Sequence, residues 1–344
     1  MGPKVALVIL NWNGRHWLEK FLPSVTASVY EPLELIVVDN GSTDDSLAFL
    51  QRHYPQIRRI AFSQNYGFTE GHNKVLPHIE APYLLLLNSD VEVQPGWIAP
   101  LVEVMEADER VASVQPKVLA YHDRQYFEYA GAAGGYLDRF AYPFCRGRVF
   151  DVVEKDEGQY DQQQQVFWAT GACCLIRRSV IDEIGLFEPR YFAHMEEIDF
   201  CWRAKNFGYK IMAQPASVVY HVGGGALPQG NPRKTYLNVR NSLATMYKNL
   251  PAAEIPFKIG VRLLLDGLWG LRSLMRGDFP TIWAIIRAHF HFYGHLPYWH
   301  KRRKQIYTLK KPTRHQAGYF PRSVVWQYFG RGKKTFAELM KEND

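Results

Sequence analysis

The sequence predicts an α/β protein, in which a mostly parallel β-sheet flanked by helices is followed by a basic, largely helical extension. Three observations carry this. Apolar runs of strand length at residues 5–10, 35–38, 57–62 and 84–87 alternate with segments of helical periodicity. That order builds parallel sheets with right-handed crossovers. Leu84, Leu85, Leu86 and Leu87 run without a polar break, as in a strand buried on both faces. Finally, residues 1–230 carry a charge balance of −8 and residues 231–344 one of +15, which together give the net +7. The charge predicts an acidic body at 1–230 with the extension at 231–344, and the end of the strand–helix alternation near 117 parts the body into halves of about 1–115 and 116–230. With 344 residues, 47% of them hydrophobic, the chain has ample core and is not a disordered protein.

The elements follow in order. The start, Met1-Gly2-Pro3-Lys4, does not read as a secretory leader. The first strand ends in Asn11-Trp12-Asn13-Gly14, and Trp17, Leu18, Phe21, Leu22 and Val25 mark one face of the next helix. The second strand ends in Asp39-Asn40-Gly41-Ser42, and Ser42 with Asp45 resembles a capping box opening a helix that Pro55 stops. After the third strand, Asn65-Tyr66-Gly67-Phe68 begins a glycine-containing loop running into a short helix through Asn73. No G-x-G-x-x-G follows the first strand, which disfavours a dinucleotide-binding dehydrogenase. The leucine strand ends in Asn88-Ser89-Asp90. Pro95-Gly96 opens a helix through Trp97, Ile98, Leu101, Val102 and Met105, and residues 111–114 form a further strand. Residues 117–165 read as an excursion of loops with a hairpin, and Gln162 to Gln165 as a solvated loop. Residues 166–176 return to strand character around Thr170-Gly171-Ala172, and a helix carries Glu196, Glu197, Asp199 and Arg203. Two short strands at 210–213 and 217–221 precede a flexible Gly223-Gly224-Gly225 loop. Cys145, Cys173, Cys174 and Cys201 have no zinc spacing and suit reduced, buried thiols of a cytosolic protein, with Cys173 and Cys174 facing opposite ways.

Polar groups at strand ends converge on the ligand edge of such a sheet. Asp39 suits a base or ribose contact, and equally a cap of the turn before Ser42. Asp90 suits a hard divalent cation that in turn holds a diphosphate. His221 suits a second ligand beneath a mobile glycine lid, or a structural role. A carboxylate among Glu196, Glu197 and Asp199 suits a general base, worth about 10²–10⁴-fold. Glu196, Asp199 and Arg203 also suit a salt-bridged helix face.

On these stretches the chain resembles glycosyltransferase family 2, with its Rossmann-like GT-A fold, near the rhamnosyltransferase-like branch. The matching residues run in order through Asn11-Trp12-Asn13-Gly14, Val37-Val38-Asp39-Asn40-Gly41-Ser42, Asn65-Tyr66-Gly67-Phe68, Asn88-Ser89-Asp90, Gly171-Ala172 with Arg177, Gly185-Leu186-Phe187, Glu196-Glu197-Ile198-Asp199 with Arg203, and Arg240-Asn241. The resemblance implies inverting transfer of a sugar from a nucleotide diphosphate sugar, dTDP-rhamnose or a UDP-sugar, to a hydroxyl of a glycan or lipid-linked acceptor in surface polysaccharide synthesis. It implies Mg²⁺ or Mn²⁺ held by Asp90 and His221. It implies a donor site of Asn11, Asn13, Asp39, Asn65, Gly67, Asn73, Asn88 and Ser89. Glu197 would be the base, with Gly171, Glu196 and Asp199 on the acceptor side. Asn88 stands where the family's metal motif has its first acid, and Glu197 where it usually has Asp. A sugar nucleotidyltransferase and an inactive sugar-binding scaffold are the alternative readings.

In the extension, residues 255–276 are too charged to span a bilayer. Each ion costs about 2.5–3.5 kcal/mol at its centre, against about 0.3–0.6 returned per large aliphatic residue. Lys258, Arg262, Asp266, Arg272, Ser273 and Arg276 form one polar stripe, and Leu263, Leu264, Leu268, Trp269, Leu271 and Leu274 lie opposite. That is the pattern of a helix in the membrane interface, or one packed on the body. Aromatics before Lys301-Arg302-Arg303-Lys304 suit an anionic lipid surface rather than nucleic acid. The expected place is the cytoplasmic face of the inner membrane.

Overall fold

The computed structural model describes residues 2–223, 230–309 and 317–341. Strands β1 (Val5–Asn11), β2 (Leu33–Asp39), β3 (Arg58–Ala61) and β4 (Tyr83–Asn88) alternate with helices α1 (Arg15–Thr26), α2 (Ser46–His53) and α3 (Gly67–Val75). The four strands are parallel, in the order β3-β2-β1-β4. The leucine run is buried on both faces as expected: Leu84 and Leu86 join one hydrophobic core, Leu85 and Leu87 the other. After β5 (Val91–Val93) and α4 (Ala99–Ala107) comes β6 (Val111–Ala120), longer than its apolar start suggested.

The second half breaks the parallel order. Beside β4 lies β12 (Cys173–Arg177), antiparallel both to β4 and to β6. Cys173 and Cys174 point into opposite cores, and all four cysteines are free and buried. The two short strands expected at 210–221 are one bent strand, β13 (Lys210–His221), with a register shift between Gln214 and Val218. It runs parallel to β6 and antiparallel to β5. Strand β11 (Gln164–Val166) pairs with β13, so Gln164 and Gln165 belong to the sheet rather than to a solvated loop. Backbone pairing recruited a polar stretch that carries no strand periodicity.

The excursion is a small sheet of its own: β7 (Gly135–Asp138), β8 (Pro143–Cys145), β9 (Arg148–Val149) and β10 (Val152–Val153), meandering antiparallel. Its far edge is closed by β14 (Tyr319–Phe320), parallel to β7. The extension therefore supplies a strand as well as helices.

Helices α5 (Arg178–Ile184) and α6 (Glu196–Asn206) precede β13. Helices α7 (Pro232–Asn249), α8 (Ile255–Met275), α9 (Phe279–Gly294), α10 (Leu296–Leu309) and α11 (Phe336–Met340) follow it. The expected boundary near residue 230 does not separate two cores. Leu243 and Met246 of α7, Phe292 of α9 and Leu339 of α11 join the core that contains Ile198 and Trp202. A buried ion network fastens the same joint. Lys248 of α7 lies 3.1 Å from Glu188 and 2.9 Å from Asp199, and Arg302 of α10 lies 3.1 Å from Glu188.

Helix α8 turns its polar stripe inward. Lys258, Arg262, Asp266 and Ser273 are buried, whereas Arg272 and Arg276 remain exposed. Asp266 meets Arg262 at 3.1 Å and His289 of α9 at 3.0 Å, and Arg262 reaches Ser242 of α7 at 3.0 Å. The apolar face points outward. Among the described residues no helix is long and apolar enough to cross a membrane.

Candidate active site

Parallel register brings the predicted strand ends abreast. Asn11 pairs with Asp39, and Leu10 with Asn88. Asn11 donates through Nδ2 to Asp39 Oδ1 at 3.3 Å, and Asp39 Oδ2 accepts the Ser42 amide at 3.0 Å. Asp39 thus caps its turn, and the capping box expected of Ser42 and Asp45 does not form. The Ser42 hydroxyl accepts from the Asn13 amide at 2.9 Å, and α2 starts at Ser46 with no side-chain cap from Asp45. Asn13, at φ +50°, accepts the Thr43 amide at 2.7 Å, so the first two βα loops are tied together. Asn11 Oδ1 is buried and unpartnered, and a Cβ at Gly14 would lie 2.4 Å from it. Only glycine leaves that oxygen its space.

Asn40, which the sequence reading did not single out, organises the next loop. Its Nδ2 donates to Asn65 Oδ1 at 3.1 Å and to the Gly67 carbonyl at 3.0 Å, and its Oδ1 accepts the Tyr66 amide at 3.0 Å. Its place immediately after Asp39 was the available signal. Gly67, at φ +78°, packs where a Cβ would stand 2.5 Å from the Phe192 ring. Asn73 does not face a ligand with a free amide. Its Nδ2 donates to the Phe187 carbonyl at 3.0 Å and its Oδ1 accepts the Phe187 amide at 3.1 Å, so it anchors α3 to a distant loop.

Asp90 and His221 do meet. The antiparallel pairing of β5 with β13 sets His221 opposite Val91, and His221 Nε2 lies 3.2 Å from Asp90 Oδ1. On its other side, Nδ1 is 3.3 Å from Glu128 Oε2, a third member that sequence spacing did not reveal. Burial pushes the imidazole pKa down, and the two carboxylates Asp90 and Glu128 outweigh it, raising it to about 10. Gly223 leaves Glu128 its room, since a Cβ there would sit 2.6 Å from Oε1. Gly224 and Gly225, the rest of the expected lid, lie outside the described residues.

The acidic pair opens α6. The Asn88 amide donates to the Ala172 carbonyl at 2.8 Å, which joins the end of β4 to the Gly171 turn. A Cβ at Gly171 would fall 3.6 Å from the Phe68 ring and 3.8 Å from Glu197 Cβ. Glu197 Oε2 and Glu196 Oε2 are both enclosed without a hydrogen-bond partner. Burial raises both carboxyls, Glu197 to about 7, and Glu196 is raised further by the charge of Glu197. The two carboxyls titrate as a pair and resist ionising together, so one can serve as base while the other keeps its proton.

The loop before this pair is strained. Phe192, His194 and Met195 all have φ between +67° and +70°, a region costly for residues with a Cβ. Arg240 and Asn241 of α7 hold it. Asn241 Nδ2 donates to the carbonyls of Tyr191, Ala193 and His194 at 3.2, 2.9 and 2.8 Å, and Arg240 donates to those of Arg190 and Tyr191 at 2.9 Å.

Asp199 is not brought into this group. It is fully buried, with Arg203 at 3.0 Å, Lys248 at 2.9 Å and Asn249 Nδ2 at 2.9 Å. Arg203 in turn donates to the Ile184 and Gly185 carbonyls at 2.7 and 2.9 Å. The salt-bridged helix face is the reading that holds for Asp199 and Arg203, while Glu196 stays outside it.

Asp90 and His221 are the residues present that would hold a divalent cation. Among the described residues no cluster of three or more side chains is arranged to cage a metal. Asp90 offers one carboxylate, whereas His221 is held protonated between Asp90 and Glu128 and would offer its imidazole only on giving up that proton to the bound cation. Mg²⁺ and Mn²⁺ sites that share their cation with a substrate phosphate need few protein ligands.

The family model for glycosyl transferase family 2 matches residues 6–185. An N-acetylglucosaminyl-diphospho-decaprenol L-rhamnosyltransferase of Mycobacterium tuberculosis is 24% identical over 229 residues, 62% of this chain and 75% of that protein. The low-salt glycan biosynthesis hexosyltransferase Agl10 of Haloferax volcanii is 22% identical over 242 residues, 69% and 73% of the two chains. Among solved structures, GalNAc-T7 with UDP, GalNAc and Mn²⁺ matches with TM-score 0.56 and 17% identity, over 72% of this chain and 48% of that one. The mannosyltransferase PcManGT from Pyrobaculum calidifontis, in complex with GDP-Man and Mn²⁺, matches with TM-score 0.53 and 13% identity, over 85% and 87%.

Proposed function

The chain belongs to glycosyl transferase family 2, and from that premise we propose that it is an inverting enzyme moving a sugar from a nucleotide diphosphate sugar to a hydroxyl of a lipid-linked glycan. The observation that carries the reading is the buried, unpartnered Glu197 Oε2 at the head of α6, with its carboxyl pKa near 7. In the proposed reaction Glu197 takes the acceptor hydroxyl proton while that oxygen bonds to the anomeric carbon. The bond from that carbon to the diphosphate breaks, and the nucleoside diphosphate leaves. One displacement with one base inverts the anomeric centre, unlike the double displacement of retaining hydrolases.

Asp39, Asn11 and the Asn40–Asn65 loop form the donor edge in this reading, and Asp90 with His221 hold Mg²⁺ or Mn²⁺. The cation, when bound, supplies positive charge against the leaving diphosphate. The rhamnosyltransferase relative supports a dTDP-deoxysugar as the first donor to try, with UDP-sugars next. The acceptor of that relative, an N-acetylglucosaminyl-diphospho-decaprenol, supports a diphosphate-linked lipid here, and with it work at the cytoplasmic membrane face in surface polysaccharide synthesis.

A thermal-shift screen of nucleotide sugars with and without Mn²⁺ tests the donor site. A ligand at a hundredfold excess over Kd stabilises by about 2.7 kcal/mol. The expected result is a metal-dependent shift with one nucleotide class, then transfer with inversion at the anomeric carbon seen by NMR of the product. A donor shift with no turnover on any lipid-linked acceptor would favour the sugar-binding scaffold instead.

A further inference from the structure

Two cavities meet where α7, α9 and α10 come together. The larger, about 440 Å³, is lined by Phe192, Arg233, Tyr236, Arg240, Trp283 and Arg287 among others. The smaller, about 220 Å³, is lined by Arg190, Arg240, His291, His295 and Trp299. Neither lining contains a carboxylate. Every arginine ion pair among the described residues engages other arginines, so Arg190, Arg233, Arg240 and Arg287 have no acidic partner there. Aromatic faces hold them instead. Arg190 lies 4.0 Å from the centre of the Tyr298 ring, Arg233 4.8 Å from Phe192, and Arg240 and Arg287 5.1 and 4.9 Å from Tyr236. A guanidinium stacked on a ring keeps its N–H edge for an anion; this describes Arg190, Arg233 and Arg287, whereas Arg240 spends most of its N–H groups on Asn241, Tyr236 and the Arg190 and Tyr191 carbonyls and adds mainly its charge. The crowding is felt at His291, whose pKa burial and then Arg240, His295, Arg287 and Arg190 push down.

The rim of the larger cavity is apolar and faces out. Trp283 is 65% exposed, and Phe279, Ile286 and Phe290 continue its stripe along α9. On α8 the outward face is Leu264, Leu268, Leu271 and Met275, with Lys258, Arg262 and Asp266 turned to the body and Arg272 exposed near the helix end. So large an exposed apolar surface marks an interaction site. A free anion needs only the arginines, and a bare bilayer only the stripe. A hydrocarbon carrying a diphosphate needs both, side by side. The inner wall is Phe192, in the strained loop four positions before Glu196.

We propose that the Arg233–Arg240–Arg287 cavity takes the diphosphate of a membrane-embedded polyprenyl diphosphate, while the α8–α9 apolar face seats in the surrounding lipid. This deepens the transfer reading, on which it rests, by assigning the acceptor's anionic end to one cavity and directing the attached sugar past Phe192 toward Glu197.

Full-length protein is titrated with three probes: phosphatidylcholine vesicles doped with polyprenyl diphosphate, phosphatidylcholine vesicles with phosphatidylglycerol at equal surface charge, and inorganic diphosphate. The expected order of affinity is doped vesicles first, with the other two well behind. The double variant Arg233→Gln/Arg287→Gln should lose roughly twenty-fold on doped vesicles, about fivefold per arginine. Phe279→Ser/Phe290→Ser, outside the cavity lining, should lose vesicle binding while leaving inorganic diphosphate binding unchanged. Equal binding to both vesicle types would overturn the proposal in favour of a general anionic membrane surface. Unchanged binding by a folded arginine variant would overturn it too. Melting temperature checks the fold of each variant. The nucleotide-sugar shift with Mn²⁺, measured on the same arginine variant, should survive. If wild-type protein bound the doped vesicles but no nucleotide sugar, the transfer reading would fall and the lipid site would stand.

Discussion

The Asn241 side chain donates to the His194 carbonyl at 2.8 Å and so holds a residue whose φ is +70°. Two further carbonyls, of Tyr191 and Ala193, share the same amide. One α7 side chain therefore sets the path of the loop that delivers Glu196 and Glu197. Asn241→Ala should leave the Ala193 and His194 carbonyls without that donor while Tyr191 keeps Arg240, costing about 1–3 kcal/mol, and let the loop relax toward negative φ. Urea denaturation should show the stability loss, and kinetics a fall in kcat with donor affinity nearly kept. Equal loss of kcat and donor binding would mean that the loop is not specifically an acceptor-side device.

Glu197→Gln removes the base and keeps the shape. Transfer should drop by about 10²–10⁴-fold, with the metal-dependent nucleotide-sugar shift retained. Turnover within a few-fold of wild type would assign the base elsewhere.

The Glu197 carboxyl also sets a pH response. Its pKa in the folded chain, about 7, lies above its ordinary 4.5. Between those values the folded chain holds a proton that the unfolded chain has released, so stability falls as pH rises through that window. Activity moves the other way, because the base must be ionised: kcat/KM should climb tenfold per pH unit up to about 7 and then level. Glu197→Gln should flatten the stability slope. Melting temperatures from pH 4.5 to 7.5 on both proteins test the sign.

Asp90→Asn and His221→Ala each remove one of the two protein groups assigned to the cation. Either should abolish the Mn²⁺-dependent part of the donor shift, and a chelator should do the same to wild type. A donor shift indifferent to Mn²⁺ in wild type would remove the metal from the reading.

Lys248 is buried between Glu188 and Asp199. Lys248→Met leaves two buried carboxylates short of a partner, and breaking such a pair costs about 3–5 kcal/mol. Thermal unfolding should shift down sharply and as one transition, because α7 shares its core with α6. Two separate transitions would instead mark the extension as an independent unit.

Much of this molecule was legible in one dimension. The apolar runs name β1, β2 and β4, and their two-sided burial follows from having no polar alternation. The polar groups after those runs, Asn11, Asp39 and Asp90, gather at one edge of the sheet because parallel strands end together. The polar stripe of α8 was equally visible. Which way it points was not, because a helical period gives two faces and no direction. The choice fell to Asp266, which finds Arg262, His289 and the Tyr142 hydroxyl inside.

Tertiary structure decided the partnerships. Strand β12 enters between β4 and β6 because pairing selects neighbours across the whole chain, which local periodicity cannot rank. His221 reaches Asp90 across 131 positions through the β5–β13 pairing, and Glu128 arrives from the excursion. Four acids of similar appearance, Asp90, Glu196, Glu197 and Asp199, part company by their surroundings. Asp199 is surrounded by Arg203, Lys248 and Asn249 and is fully paired, whereas half-buried Glu197 keeps an enclosed oxygen without a partner. Sequence determines which groups a segment carries and how they repeat along it. Whether a buried charge is paired or left reactive depends on what the distant chain brings against it.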